Sequence, residues 1–233
     1  MAELILVRHA QASLFGADYD ALSPLGREQA RALGRHFATH GARFARVYVG
    51  PRRRHRETLA LVAEAFAGRG LPWPAAAELA ELDEHAGLEV ARRTLAQGGD
   101  DPGARLRAAA DDAERAHLVR EFFDRYFEIL RDWARGSVAV EGVEPWREFR
   151  ARSRRALDLL CAGPGPAVAF TSGGLVASAA GWLLGLDEER VIGLSAVLRN
   201  TALSEVRYSA TRRSLVSFNA LPHLPAPGAA TAV

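Results

Sequence analysis

The feature that most constrains the fold is a short apolar run near the start of the chain that stops at two polar residues. Residues 4–7 read Leu-Ile-Leu-Val, which is typical of a strand buried on both faces of a sheet. Arg8 and His9 follow directly. Ligands of open α/β sheets bind just beyond the carboxyl ends of the strands, so both side chains are expected at a site. The alternative is a strand that simply leaves the core for water.

Strand and helix patterns alternate along the rest of the chain. Ser23 is the predicted N-cap of the first helix, because Pro24 follows it at the first helical position. The further strands are predicted at residues 44–49, 167–171, 202–208 and 214–218. Alternation of this kind favours an α/β fold with a parallel sheet.

The stretch 88–145 has helical patterns and no strand pattern. We expect one helix over 104–133 and another from residue 144 to residue 160. We interpret 88–145 as an insertion that covers the active edge of the sheet, so that residues 1–224 form one domain. Residues 71–74 are expected to be a loop or short edge strand, and 225–233 a flexible tail.

Composition excludes several classes of protein. A chain of 233 residues, 48% hydrophobic, is long enough for one large α/β domain or two small ones. The net charge is only +2 and the charges are interspersed, so no nucleic-acid partner is expected. The single cysteine excludes an internal disulfide, and no segment reads as a signal peptide or membrane span. A cytoplasmic protein without a membrane partner is expected, of unknown oligomeric state.

Three segments that follow strands carry groups suited to phosphate: Arg8-His9, residues 52–56 with four arginines, and Ser172-Gly173-Gly174. Arginines at the start of a helix are unfavourable, because the helix dipole is positive there. A bound anion nearby would offset that cost, so these arginines favour an anion site; the alternative is a solvated basic turn. A glycine pair before a helix lets backbone N–H groups approach an anion, although glycines also serve tight turns. No ligand spacing for zinc or magnesium is present, so neither a metal nor another cofactor is implied.

With these motifs the sequence resembles the histidine phosphatase superfamily, also called phosphoglycerate mutase-like. The matching segments are residues 6–10, 22–34, Pro51 with Arg54 and Thr58, 172–174, and Asn219 with His223-Leu224. The resemblance implies a three-layer α/β/α sandwich around a mostly parallel sheet, with a helical insertion.

The resemblance also implies an activity, the metal-independent hydrolysis of a small phosphorylated substrate. His9 would take the phosphoryl group as a phosphohistidine, and Arg8 and Arg54 would neutralise its oxygens. Ser172 and Gly173 would complete the phosphate site.

A carboxylic acid would protonate the leaving oxygen and later activate water. Both Glu84 and Glu81 fit the Leu-x-Glu pattern of the family. Glu84 is preferred, because Gly87 and Leu88 follow it at about the family's distance.

One departure from the family pattern bears on activity: Ser172 stands where the family has a second histidine. Replacing a charge-assisted hydrogen bond by a neutral one costs about 1 kcal/mol or somewhat more, which predicts a slowed enzyme. His55 or His85 could compensate, or could be a surface or packing residue. The alternatives to a phosphatase are a catalytically weakened protein that binds a phospho-ligand, and a phosphoglycerate mutase.

Overall fold

The computed structural model describes residues 1–12, 20–224 and 230–231. The strands are β1 Ala2–Arg8, β2 Arg46–Val49, β3 Ala76–Glu78, β4 Ala167–Thr171, β5 Leu203–Tyr208 and β6 Arg213–Ala220. The helices are α1 Pro24–Thr39, α2 Arg53–Ala67, α3 Gly87–Gln97, α4 Pro102–Ala108, α5 Asp112–Arg135, α6 Trp146–Leu160, α7 Gly173–Leu184 and α8 Glu188–Val197. A single 3₁₀ turn, Ala80–Leu82, precedes α3.

The strands form one mixed sheet in the order β3-β2-β4-β1-β5-β6. The first four are parallel to one another, whereas β5 is antiparallel to β1 and β6 is antiparallel to β5. Leu4 of β1 lies opposite Ala167 on one side and Val206 on the other. The predicted α/β fold with a mostly parallel sheet is therefore confirmed, and β1 lies inside the sheet.

Alternate side chains of the strands enter two different cores, one on each face of the sheet. Leu4 and Leu6 of β1 belong to a core that includes Phe149 of α6 and Leu175 of α7. Val7 belongs to a second core, which α1 and α2 complete. Helices thus cover both faces of the sheet, which confirms the three-layer sandwich. Successive side chains of a strand point to opposite faces, so the single apolar run of β1 contributes side chains to both cores.

The single helix expected over 104–133 is wrong, because the chain forms two helices there, α4 and α5. The break is a capping box at the start of α5. Oδ1 of Asp111 accepts a hydrogen bond from the N–H of Glu114 at 2.8 Å, and the Glu114 carboxylate accepts from the N–H of Ala110 at 2.6 Å. Reciprocal capping of this kind favours a new helix start over continuation of the old one.

Two further elements differ from expectation. Of the two expectations for residues 71–74, the loop is the one observed, because Pro72 and Pro74 have no N–H to donate to a neighbouring strand, and the edge strand β3 follows at Ala76–Glu78. Helix α8 was not predicted, although Asp187 caps it by accepting from the N–H of Arg190 at 2.9 Å.

Two residues of the tail expected to be flexible are held against the domain. The carbonyl of Thr231 accepts a hydrogen bond from the N–H of Asn200 at 2.7 Å. Its hydroxyl accepts from the side-chain amide of Gln29 at 3.0 Å. The other residues of the tail, 225–229 and 232–233, lie outside the described residues.

Candidate active site

A cleft of about 600 Å³ opens at the carboxyl ends of β1 and β4. Five of the six residues predicted for the site line it: Arg8, His9, Arg54, Glu84 and Gly173. They come from the end of β1, the first turn of α2, the segment before α3 and the first turn of α7. The fold therefore brings together segments that are far apart in the sequence.

His9 is held as a neutral imidazole with one nitrogen available for attack. Its Nδ1 lies 2.7 Å from the carbonyl oxygen of Ala10, which can only accept, so Nδ1 carries the proton and Nε2 the lone pair. Burial, followed by the charges of Arg54 and Arg8, holds the pKa of His9 well below its ordinary value. A neutral ring with an unprotonated Nε2 is the nucleophilic form of histidine.

The backbone of His9 is fixed on both sides. Its N–H donates to the carbonyl of Thr171 at 2.8 Å. Its carbonyl accepts from the side chain of Asn200 at 3.1 Å and from the N–H of Thr201 at 3.3 Å. Thr201 lies in the loop between α8 and β5 and has a φ of +59°, the left-handed conformation. The loop is therefore strained at the residue that contacts the end of β1.

Arg54 is almost fully buried, with 5% of its side chain exposed. One nitrogen, Nη1, donates to the carboxylate of Asp20 at 2.6 Å. The same carboxylate accepts from the N–H of Arg53 at 2.7 Å at the start of α2. Asp20 thus fixes both the helix start and the guanidinium; our sequence analysis did not assign it a role.

The arginines at the start of α2 are compensated by the protein's own carboxylates. The ion pairs are Arg52 with Asp83, Arg53 with Glu57, Arg54 with Asp20, and Arg56 with Glu78. The basic turn is therefore not simply solvated, as the alternative interpretation had it. Two members of this cluster, Arg52 and Arg54, also line the cleft.

Ser172 does not line the cleft as the predicted phosphate ligand should. It is fully buried, and its Oγ lies 2.6 Å from Nε2 of His55 and 3.4 Å from Nη2 of Arg54. His55 is also fully buried, and its ring centroid is 5.7 Å from that of His9. Burial and the charges of Arg54 and Arg52 hold the pKa of His55 well below its ordinary value, so the His55–Ser172 pair is neutral.

The space for the His55 ring depends on Gly50, at the end of β2. A Cβ atom on Gly50 would lie 2.3 Å from Nδ1 of His55. His55 is therefore packed beneath the cleft, against Ser172, and is not a surface residue. It contacts Ser172, which is also 3.4 Å from Arg54, rather than the cleft itself.

Of the two candidate acids, Glu84 lines the cleft and Glu81 does not. Oε1 of Glu84 accepts a hydrogen bond from the N–H of His85 at 3.0 Å. Burial acts to raise the pKa of Glu84, but His85, Arg54, the His85 N–H and Arg8 together outweigh it and leave that pKa below its ordinary value. The carboxylate is therefore ionised in the free site.

His85 packs as an aromatic residue behind this acid. Its ring lies 5.1 Å from that of Phe149, and Trp133 and Trp146 pack on it as well. Its Nδ1 accepts from the N–H of Gly87 at 3.0 Å, so Nε2 carries the proton when the ring is neutral. Nε2 lies 3.7 Å from Oε1 of Glu84, so His85 supports the acid as well as the core.

Arg152 of α6 fixes the backbone that carries the acid. Its guanidinium donates to three carbonyls of the segment 81–84, at 3.1, 2.8 and 3.3 Å. The remaining carbonyl of that segment accepts from the hydroxyl of Thr171 at 2.6 Å. Glu144 binds Arg152 through both carboxylate oxygens, at 2.8 and 2.7 Å. Sequence reasoning missed Arg152, because an arginine inside a helix has no local signal for this role.

The glycines at the start of α7 allow side chains to approach the helix closely. A Cβ atom on Gly174 would lie 2.4 Å from Oε1 of Glu84 and 2.3 Å from Cδ2 of His85. A Cβ on Gly173 would lie 3.3 Å from Nε of Arg8. The glycine pair therefore makes room for the acid and the arginine of the site.

Helices α3 and α5 supply the wall that faces these residues. The cleft-lining residues of α3 are Leu88, Glu89 and Arg92, and those of α5 are Phe122, Phe123, Tyr126 and Phe127. The predicted insertion thus contributes directly to the cleft. Within residues 1–12, 20–224 and 230–231, no cluster of three or more His, Cys, Asp or Glu is arranged to hold a metal ion. None of the described helices combines the length and apolar character that a membrane span needs.

The chain is similar to known proteins over nearly its whole length. A family model described as the histidine phosphatase superfamily (branch 1) matches residues 4–135 and 112–221. No curated protein matched the sequence. Among solved structures, the alpha-ribazole phosphatase from Shigella flexneri has a TM-score of 0.61 at 19% identity, covering 94% of this chain and 96% of that one.

Two other solved structures extend the range of activities on this fold. A phosphoglycerate mutase from Bacillus anthracis has a TM-score of 0.61 at 17% identity and covers 95% of this chain and 94% of that one. A mycobacterial glucosyl-3-phosphoglycerate phosphatase, in complex with VO3, has a TM-score of 0.58 at 23% identity, covering 94% and 100%. Likeness at this identity establishes the shared fold.

Proposed function

Because the chain belongs to the histidine phosphatase superfamily, we propose that it is a metal-independent phosphomonoester hydrolase that acts through a phosphohistidine. One observation carries the proposal. A neutral imidazole with a free Nε2, that of His9, lines the same cleft as Arg8, Arg54 and the carboxylate of Glu84. Phosphoryl transfer needs little more than such positioning and charge neutralisation.

In the first step, Nε2 of His9 attacks phosphorus and forms the N–P bond while the bond to the leaving oxygen breaks. Arg8 and Arg54 stabilise the charge on the equatorial oxygens. The leaving oxygen takes a proton from Glu84 and departs as an alcohol or phenol. In the second step, water attacks the phosphohistidine, Glu84 takes the proton of that water, and inorganic phosphate leaves.

Glu84 must gain a proton before it can serve as the acid. Its low pKa in the free site is caused partly by Arg54 and Arg8. A bound phosphate dianion offsets those positive charges and adds a negative one nearby, which raises the pKa of Glu84. Substrate binding itself thus prepares the acid, and we expect the bound complex to take up a proton.

The test is turnover of p-nitrophenyl phosphate in the presence of EDTA, with trapping of the phosphoenzyme. Wild-type protein should hydrolyse the substrate and, after rapid denaturation, retain labelled phosphate on one histidine. The variant His9→Ala should lose both signals. His117→Ala, which removes an exposed histidine of α5, is the matched control and should keep both.

Two other outcomes separate the alternatives left open by the sequence. Phosphate binding without turnover would identify a binding protein on the same fold. That alternative was suggested by the absence of a second histidine at position 172, but His55 lies 2.6 Å from the Ser172 hydroxyl, which in turn lies 3.4 Å from Nη2 of Arg54. A mutase would return the phosphoryl group to a second hydroxyl of the substrate faster than it released inorganic phosphate.

A further inference from the structure

The cleft is much larger than a phosphate group requires, and one of its walls is aromatic. We propose that the substrate is the phosphomonoester of a bulky apolar alcohol or phenol, whose apolar part packs on Phe123 and Phe127. This inference rests on the proposed function and names the class of leaving group. A cleft of about 600 Å³ is within the usual range for pockets that enclose a whole organic ligand.

Successive turns of α5 present rings to the cleft. Phe123 and Phe127 lie one turn apart, with ring centroids 6.4 Å apart, and both are half-buried. Phe122, beside them, is 5% exposed and forms the floor, with its centroid 5.4 Å from that of Phe123. Together they present a broad apolar face rather than a single contact.

Phe123 in particular is not explained by the packing of the domain. Its contacts with other aromatic rings, among the described residues, are with Phe122, Tyr126 and Phe127 on its own helix. Phe127 also packs on the core, whereas Phe123 is not among the described side chains that do so. A half-buried aromatic ring that lines a cleft and does not pack on the core leaves apolar area for a ligand to cover. Trp133 of the same helix, by contrast, is buried in the core.

The charges of the cleft favour an apolar leaving group over a second anionic group. Arg8 and Arg54 lie at the end occupied by His9 and are assigned to the phosphoryl oxygens. Arg52 lines the cleft too, but both carboxylate oxygens of Asp83 already bind its guanidinium. On α3, Glu89 and Arg92 both line the cleft, and Glu89 also pairs with Arg93 at 2.6 Å, so this wall carries charges of both signs rather than a second anion site.

The test is a series of straight-chain alkyl phosphates from ethyl to hexyl. The acidity of the leaving alcohol is nearly constant along this series, so a change in kcat/KM reports contact of the alkyl chain rather than chemistry. We expect kcat/KM to rise about twofold to fourfold for each added methylene, as partial to full burial of a CH₂ group predicts. 2-Phenylethyl phosphate, also the ester of an aliphatic alcohol, tests preference for an aromatic group over an alkyl chain.

The variants Phe123→Ala and Phe127→Ala should flatten the dependence of kcat/KM on chain length. Ile129→Ala is the matched control, because it also removes a large apolar side chain from α5 but packs on the core and does not line the cleft. It should keep the wild-type slope.

A flat series in an enzyme that hydrolyses all of these esters would overturn the inference and leave the proposed function intact. A rising series that both phenylalanine variants preserve would also overturn it, since the chain would then bind elsewhere. If no phosphomonoester, including p-nitrophenyl phosphate, is hydrolysed, the proposed function is wrong and this inference fails with it.

Discussion

Substituting Gly174 by alanine separates helix propensity from active-site geometry. Gly→Ala inside a helix normally stabilises it by about 0.5–1 kcal/mol. Here the added Cβ would lie 2.4 Å from Oε1 of Glu84 and 2.3 Å from Cδ2 of His85, whereas ordinary contacts begin near 3.4 Å. The carboxylate and the His85 ring behind it must therefore retreat by about 1 Å, and a misplacement of that size can cost about 10²-fold in rate, or about 2.7 kcal/mol.

The assay compares substrates that differ in their need for an acid. For Gly174→Ala we expect kcat/KM on alkyl phosphates to fall about 10²-fold. On p-nitrophenyl phosphate, whose leaving group needs little protonation, the loss should be less than about tenfold. The matched control is Gly193→Ala in α8, where no atom lies within 4 Å of the added Cβ. It should raise the free energy of unfolding by the usual increment and leave both substrates unaffected.

Equal activity of Gly174→Ala and Gly193→Ala on alkyl phosphates would refute the reasoning, because the position of the Glu84 carboxylate would then not matter. An equal loss on both kinds of substrate would also refute it. Such a loss would indicate that the substitution disturbs the proposed phosphate site, where Arg8 lies beside the adjacent Gly173, rather than the acid.

Three further predictions follow from buried polar groups. His55→Ala should lower the free energy of unfolding by about 2–4 kcal/mol, as measured by urea denaturation, because it leaves a cavity and removes the 2.6 Å partner of the Ser172 hydroxyl, which keeps its longer contact with Arg54. The double variant with Ser172→Ala should lose clearly less than the sum of the two single losses. Arg152→Met should lower kcat/KM on alkyl phosphates about tenfold without lowering phosphate affinity, since the guanidinium holds the acid-bearing backbone and not the ligand; weaker phosphate binding would argue against that role. Burial lowers the pKa of His223 to about 4, so the unfolded chain binds this proton first as the pH falls. His223 alone should then lower the free energy of unfolding by roughly 3 kcal/mol between about pH 6.5 and pH 4. Burial also holds the pKa values of His9 and His55 well below their ordinary value, so the wild-type decline is larger, and His223→Gln should remove only the part due to His223.

Much of the fold, and the position of five of the six residues proposed for the site, could be predicted from local sequence. The apolar run that ends at Arg8-His9 predicted a strand and a candidate nucleophile together, because both signals lie within a few residues. Spacing alone favoured Glu84 over Glu81, and of the two only Glu84 lines the cleft; its role as the acid stays a prediction. The break between α4 and α5 was also readable, since Asp111 and Glu114 have capping-box spacing.

The residues that support the site could not be found in this way. The hydrogen bond between His55 and Ser172 joins residues 117 positions apart, and those from Arg152 span about 70 positions. No periodicity or motif encodes such a contact, because it exists only when α2, α6 and α7 have packed on the sheet. Ser172 was misassigned for the same reason: its hydroxyl faces a neighbour that only the tertiary structure supplies.

The position of β1 inside the sheet has a consequence for biosynthesis. This strand is made first, yet its partners on either side are residues 167–171 and 203–208. At about 5–20 residues per second, the ribosome needs roughly ten to forty seconds to deliver them. Until β4 is made, this apolar strand has neither of its neighbours, and until β5 is made it has only one. A polypeptide that ends before β5 would therefore contain all the helices but leave one edge of β1, directly before His9, without its partner strand.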